Sequence, residues 1–164
     1  MHATYENLTL RFERRLMQPV ARVWRAITEP SELAHWFPSA VEGDIRAGGE
    51  LTFRFEHMPL DAPTTMAGSV TDFEPPRLFA FYWGDDHLRF ELEPADPDGC
   101  LLRFTVVLDA EDKAARDAAG WHHCLDGLER ELSDGPPVPD ESWRERYEEY
   151  SQRGLPTGAP VPDQ

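Results

Sequence analysis

His122 and Asp126 stand four positions apart within residues 112–133, DKAARDAAGWHHCLDGLERELS, the spacing that puts two side chains on one helix face. A histidine and a carboxylate so placed suit metal ligation or proton transfer. A metal site needs a third ligand at a recognisable spacing, and none follows, so the two read as a solvated His–Asp pair. His123 is adjacent, and on a helix the two imidazoles point about 100° apart and cannot share a metal. His35, His57 and His87 fall on separate segments and form no motif. Cys124 has no neighbouring cation to lower its pKa, which makes it a small buried hydrophobe rather than a nucleophile. Asp85-Asp86 follows Gly84 and reads as turn chemistry. The sequence holds no Ser–His–Asp order, no paired-carboxylate motif and no glycine-rich phosphate or dinucleotide loop. No catalytic residue, metal or cofactor is therefore assigned. Should the chain turn over a substrate, Tyr82, His122 and Asp72 are the acid–base candidates.

The segment that carries His122 is an amphipathic helix. Ala114, Ala118, Trp121, Leu125, Leu128 and Leu132 alternate in steps of four and three, one stripe of a 3.6-residue repeat. Gly120 and Gly127 lie inside it, each costing about 1 kcal/mol relative to Ala. They read as close helix–sheet packing, with a helix closing over a pocket as the alternative.

Upstream, Leu8, Leu10 and Phe12 alternate with polar residues as a half-buried strand. Pro19 opens a helix lined by Val20, Val23, Trp24 and Ile27. Ser31 can cap a second short helix carrying Leu33, Trp36 and Phe37, which Pro38 ends. Strand texture follows: a short stretch at 40–45, then Leu51, Phe53 and Phe55 in alternation, then 66–73. Residues 57–64 read as a loop. Residues 78–83, LFAFYW, are apolar on both faces and read as a central strand. Leu88, Phe90 and Leu92 form the next strand, and Leu102, Phe104, Val106 and Leu108 the last. Strand, two helices, five or six antiparallel strands and one long helix make an α+β layer, in which the helix covers the apolar sheet face. Past Ser133 the chain turns proline-rich. Residues 140–152 can form a helix with Trp143, Tyr147 and Tyr150 on one side, expected to dock on the body or on a partner subunit. Residues 155–164 are expected to be loose.

The 164 residues suit one domain with a real core. A net charge of −15, with Lys113 as the single lysine, argues against a phosphate-backbone partner. It also argues against anionic membranes, and no apolar run is long enough to span a bilayer. The N-terminus lacks the apolar core of a signal peptide, and Cys100 and Cys124 make no disulfide framework. The expected compartment is the cytoplasm.

Residues 19–28, PVARVWRAIT, followed by 32–37, ELAHWF, resemble the opening of the family of activators of the heat-shock-protein-90 ATPase, within the SRPBCC (START-related, birch-pollen-allergen-like) superfamily. Ala47-Gly48-Gly49-Glu50, Gly68-Ser69-Val70 leading to Glu74-Pro75-Pro76-Arg77-Leu78, and Gly120-Trp121 agree with it. The resemblance implies a helix-grip fold over residues 1–133, a curved antiparallel sheet around a long C-terminal helix, with residues 134–164 as a proline-rich extension. It also implies a cavity between sheet and helix. The co-chaperones that resemble this domain carry a separate N-terminal domain for the chaperone, which this sequence does not show.

Periodicity turns Phe53, Phe55, Phe90, Leu92, Phe104, Val106, Trp121, Cys124 and Leu125 inward, together with Tyr82 or, if residues 78–83 face the other way, Trp83. With the implied cavity, these residues would line an apolar pocket, Tyr82 would be its polar handle and Trp36 would stand near its mouth. The first expectation is binding of a small hydrophobic or aromatic ligand. The second is a polyketide-cyclase or hydrolase type of enzyme in the same cavity. The third is a chaperone-assisting protein that uses its acidic surface and the Trp143–Tyr147–Tyr150 face. A homodimer is compatible with all three.

Overall fold

The computed structural model joins eight strands, most of them alternating apolar and polar residues, in one antiparallel sheet ordered β1-β2-β8-β7-β6-β5-β4-β3. It describes residues 2–55, 64–136, 139 and 141–161. The strands are β1 (Thr4–Glu6), β2 (Thr9–Leu16), β3 (Ala40–Gly43), β4 (Glu50–Arg54), β5 (Thr65–Glu74), β6 (Leu78–Trp83), β7 (Asp86–Ala95) and β8 (Gly99–Val107). β1 is an edge strand that pairs with β2, and the apolar pattern does not reveal it because its three residues carry no buried side chain. Two helices, α1 (Val20–Thr28) and α2 (Pro30–Leu33), carry the chain from β2 to the opposite sheet edge at β3. α2 begins at Pro30, with Glu29 as its N-cap, so Ser31 lies inside the helix and does not cap it. The loop expected at 57–64, with His57, falls almost wholly outside the described residues.

The sheet is bent. β5 carries a register shift between Val70 and Asp72, and such a bulge kinks its strand. At Gly68 a Cβ would fall on the Tyr82 carbonyl oxygen and on the Phe53 ring, so only glycine lets the two strands and that ring approach so closely.

A single 3-10 turn, Glu111–Lys113, leads into α3 (Ala114–Ser133), which lies across the concave face. Trp121 meets Phe104 and Trp83 at ring separations of 5.2 Å each, and Leu125 and Leu128 are fully buried. The helix-grip expectation holds. Behind α3 packs α4 (Glu141–Gln152) of the same chain, with Tyr150 fully buried. Of the end expected to be loose, residues 155–161 are described, and they are held in place. They run back to the start of α3, where Ala115 N–H donates to the Pro156 carbonyl (3.0 Å) and Ala159 N–H to the Asp112 carbonyl (3.2 Å). Ala115 is in the first helical turn, where backbone N–H groups have no partner within the helix, so Pro156 serves as the cap that no side chain provides.

Candidate ligand cavity

The deep half of the grip is packed solid. Phe90 and Phe104 stack at 4.3 Å, with Phe12 at 5.8 Å from Phe104 and Phe81 at 6.3 Å from Phe90. Phe53, Leu92, Val106 and Leu125 are buried in the same cluster. Large flat side chains on adjacent strands fill the bend, and Leu125 and Leu128 of α3 are fully buried against them.

The opening lies toward the start of α3, as a cavity of about 960 Å³ open on one side. Trp36 and Pro38 wall it after α2, Phe55 at the end of β4, and Trp83 at the end of β6. The 3-10 turn supplies Lys113, α3 supplies Arg116, Asp117, Gly120, Trp121, His123 and Cys124, and Trp143 of α4 closes the back. Pro160 and Val161 of the tail form the last wall. The Trp36 indole N–H is bonded to the Ala26 carbonyl at 2.9 Å, which fixes that ring in place. At Gly120 a Cβ would meet only the Trp143 ring nitrogen, at 3.8 Å, because the helix here borders open space. At Gly127 it would meet Trp36 at 3.6 Å. The two glycines thus divide between the two readings: Gly127 packs closely, and Gly120 faces the cavity.

Four residues expected in the lining stand in it: Trp36, Phe55, Trp121 and Cys124. Phe53, Phe90, Leu92, Phe104, Val106 and Leu125 face inward but end in the packed core. Tyr82 turns out of the concave face, 44% exposed against His87, and Trp83 takes the inward position. Leu78 and Ala80 are also buried, so composition cannot tell the two faces of β6 apart. Trp24 packs on Phe73 (5.6 Å), away from the cavity.

Asp86 is no mere turn residue. It opens β7, is 2% exposed, and holds the Lys113 ammonium through both carboxylate oxygens at 2.8 Å each. The Asp109 amide donates to it at 3.0 Å. Burial pushes the Asp86 carboxyl above its usual range against the pull of Lys113. Burial also works to lower the Lys113 pKa, but bonds to Asp109 and Asp86 outweigh it and hold the ammonium above its ordinary value. Asp109, which takes a bond from Lys113 at 2.7 Å, is held below the usual carboxylate range by it. Arg116 donates from Nε to Asp117 at 2.9 Å and from Nη1 to the Pro160 carbonyl at 3.0 Å. The Cys124 thiol is pushed up to about 12 by burial and stays protonated, consistent with a packing role.

The acid–base candidates lie elsewhere. His122 is buried behind α3, bonded to the Tyr150 hydroxyl at 2.8 Å, so the solvated pair expected with Asp126 is corrected. Its ring is 3.7 Å from Asp126, which receives Arg14 at 2.8 Å. Asp72 lies on β5 near His87, and neither Asp72, Tyr82 nor His122 lines the cavity. Among the described residues no cluster of three potential metal ligands occurs, and no helix is long and apolar enough to cross a membrane.

A bent antiparallel sheet that grips a long helix and leaves an aromatic-walled cavity at its mouth defines a helix-grip protein. Within that class the chain belongs to the family described as Activator of Hsp90 ATPase homolog 1-like protein, whose model matches residues 18–133. Among solved structures, the protein encoded by BPP1335 of Bordetella parapertussis is similar, with a TM-score of 0.74 and 27% identity over 94% of this chain and 91% of that one. CalU16 of Micromonospora echinospora gives a TM-score of 0.69 and 27% identity over 88% and 86%. EF2215 of Enterococcus faecalis, a conserved protein of unknown function, gives 0.72 and 22% identity over 92% and 88%, a likeness of fold alone. No curated protein matches.

Proposed function

We propose that the chain binds a small hydrophobic molecule with an aromatic part in the cavity between β6, α3 and the C-terminal tail. The observation that carries this reading is the cavity wall. Five large aromatic side chains, Trp36, Phe55, Trp83, Trp121 and Trp143, border one space of about 960 Å³, within the size range of small-molecule sites. Aromatic rings left facing an open space lose the dispersion contacts that a packed core supplies, and a flat apolar ligand restores them. Polar groups gather at one end, which suits orientation of a ligand better than acid–base chemistry, because Lys113 and Asp86 neutralise each other. On α4, Tyr150 is buried against α3, and Trp143 and Tyr147 stack with rings 9° from parallel, partly buried against the core.

The test is a screen of aromatic compounds read by melting temperature and by tryptophan emission. A true ligand at one hundred times its Kd adds about 2.7 kcal/mol of stability. Absence of any melting shift or emission change across the screen would refute the reading.

A further inference from the structure

The charged residues of the cavity wall cancel. Asp86 is paired with Lys113 and Asp117 with Arg116, two carboxylates against two cations. The wall therefore gives no preference to a charged head of either sign. What it lacks is a partner for a neutral donor. Trp83 stands in the lining, and its Nε1–H is shielded from solvent with no hydrogen-bond partner among the described residues. A buried indole N–H ordinarily finds an acceptor, and leaving one unpaired weighs against the state that holds it. The neighbours of the ring explain the orphan. Trp121 (5.2 Å), Phe55 (5.9 Å), Phe37 and Phe53 (6.3 Å each) surround it, and an aromatic ring returns at best a weak N–H···π contact. Trp36, in the same wall, shows the contrast, since its N–H donates to the Ala26 carbonyl at 2.9 Å. Arg116 also keeps spare donors beyond its bonds to Asp117 and Pro160. Its side chain is 29% exposed, so solvent reaches them. Trp83 Nε1 has no such recourse.

Resting on the cavity-binding reading above, we infer that the ligand is an aryl carbonyl compound, neutral, whose oxygen accepts the hydrogen bond of Trp83 Nε1–H. Its ring system lies beside the indoles of Trp83 and Trp121, and the half-buried Trp83 ring turns its N–H onto the oxygen from the cavity side. A carbonyl held in the plane of its ring presents lone pairs at the edge, where an indole N–H can meet them. A bare hydrocarbon would fill the same space and leave the donor unpaired. A carboxylate would lose its hydration in a wall whose cations are already paired. An ammonium head would bring more donors to a place that lacks an acceptor.

Three matched probes test this by calorimetry with the full chain: 2-acetonaphthone, its near-isostere 2-isopropenylnaphthalene, and 2-naphthoate. Transfer out of water alone favours the alkene, because the ketone oxygen has hydration to lose, so a tighter ketone reports a donor in the wall. The ketone is expected to bind at least about fivefold more tightly than the alkene, and more tightly than the carboxylate. Trp83→Phe, which keeps an aromatic ring and removes the N–H, closes the gap between ketone and alkene. In the nitrogen NMR spectrum of the wild type, the Trp83 indole N–H signal moves downfield with the ketone and not with the alkene. That signal decides the matter should the variant fail to fold. An alkene as tight as the ketone, a gap that survives Trp83→Phe, or an indole signal indifferent to the ketone overturns the acceptor inference and leaves hydrophobic binding standing. A carboxylate tighter than the ketone overturns the neutral head in the same way. If none of the three binds, the cavity reading falls and this inference falls with it.

Discussion

Tyr150 decides what His122 does. Its hydroxyl accepts from the Ala3 N–H at 2.7 Å and so turns its own proton toward His122 Nδ1, which leaves the imidazole proton on Nε2, facing Asp126. Burial lowers the His122 pKa to about 4, with Arg14 and Arg146 adding to the effect and Asp126 opposing it. In the unfolded chain a histidine titrates near 6.5, so between those values the unfolded state binds the extra proton and stability falls as pH falls. From about pH 7 to about pH 5 the loss is about 2 kcal/mol, and urea midpoints across that range should show it. His122→Gln should flatten the slope whatever it does to the midpoint. Lys113 gives a second residue-scale prediction. Lys113→Met strands a buried carboxylate at Asp86 and should cost about 3 kcal/mol by chemical denaturation, part of which Asp86→Asn in the same chain restores. Of this site the sequence showed only fragments. His122 and Asp126 were visible as a helical pair, but Arg14 sits at an inward strand position where the alternation leads one to expect an apolar residue, and its link to Asp126 spans more than a hundred residues.

At the scale of elements, α3 is two structures in one. Its rear half is a packing surface and its front half is a cavity wall, and a hydrophobic stripe of constant period does not distinguish them. The glycines do. Gly120→Ala adds a methyl at ordinary contact distance from Trp143 and removes a helix-propensity penalty, so it should raise stability by about 1 kcal/mol and keep ligand binding. Gly120→Leu places a branched side chain in the open space. It should keep the fold, checked by circular dichroism, and abolish the ligand-induced rise in melting temperature. Strand β6 shows the opposite limit. With apolar residues on both faces its orientation is fixed only by pairing to β5 and β7, which turns Trp83 in and Tyr82 out.

At the scale of the whole molecule, the segment beyond the family match completes the cavity. α4 brings Trp143 to the back of the space and buries Tyr150, and the tail supplies Pro160, Val161 and the cap on Ala115. Removal of residues 155–164 should therefore leave the sheet and α3 folded, lower the melting temperature by about 3 °C, and weaken ligand binding by about tenfold as the wall opens. Circular dichroism and calorimetry on the shortened chain measure both effects. Proline-rich composition marks a segment that cannot extend a helix or join a ladder. It carries no information about whether isolated carbonyls find donors elsewhere, which is why a loose end was expected and a strap was found.

By itself the sequence determined the α+β class, the sheet-and-helix order and the family. The class and the element order follow from local periodicity and from turn residues, which act over a few positions at a time; the family follows from the order of several short motifs. It also determined a strongly acidic surface. Only the tertiary structure decided which inward residues fill the grip and which face the open space, because that depends on how far the sheet bends at the Val70–Asp72 bulge and on how aromatic volumes add across strands. Residues distant in the chain meet at Lys113, Asp86 and Pro160 through packing, and pairwise proximity of that kind leaves no period in the sequence to read.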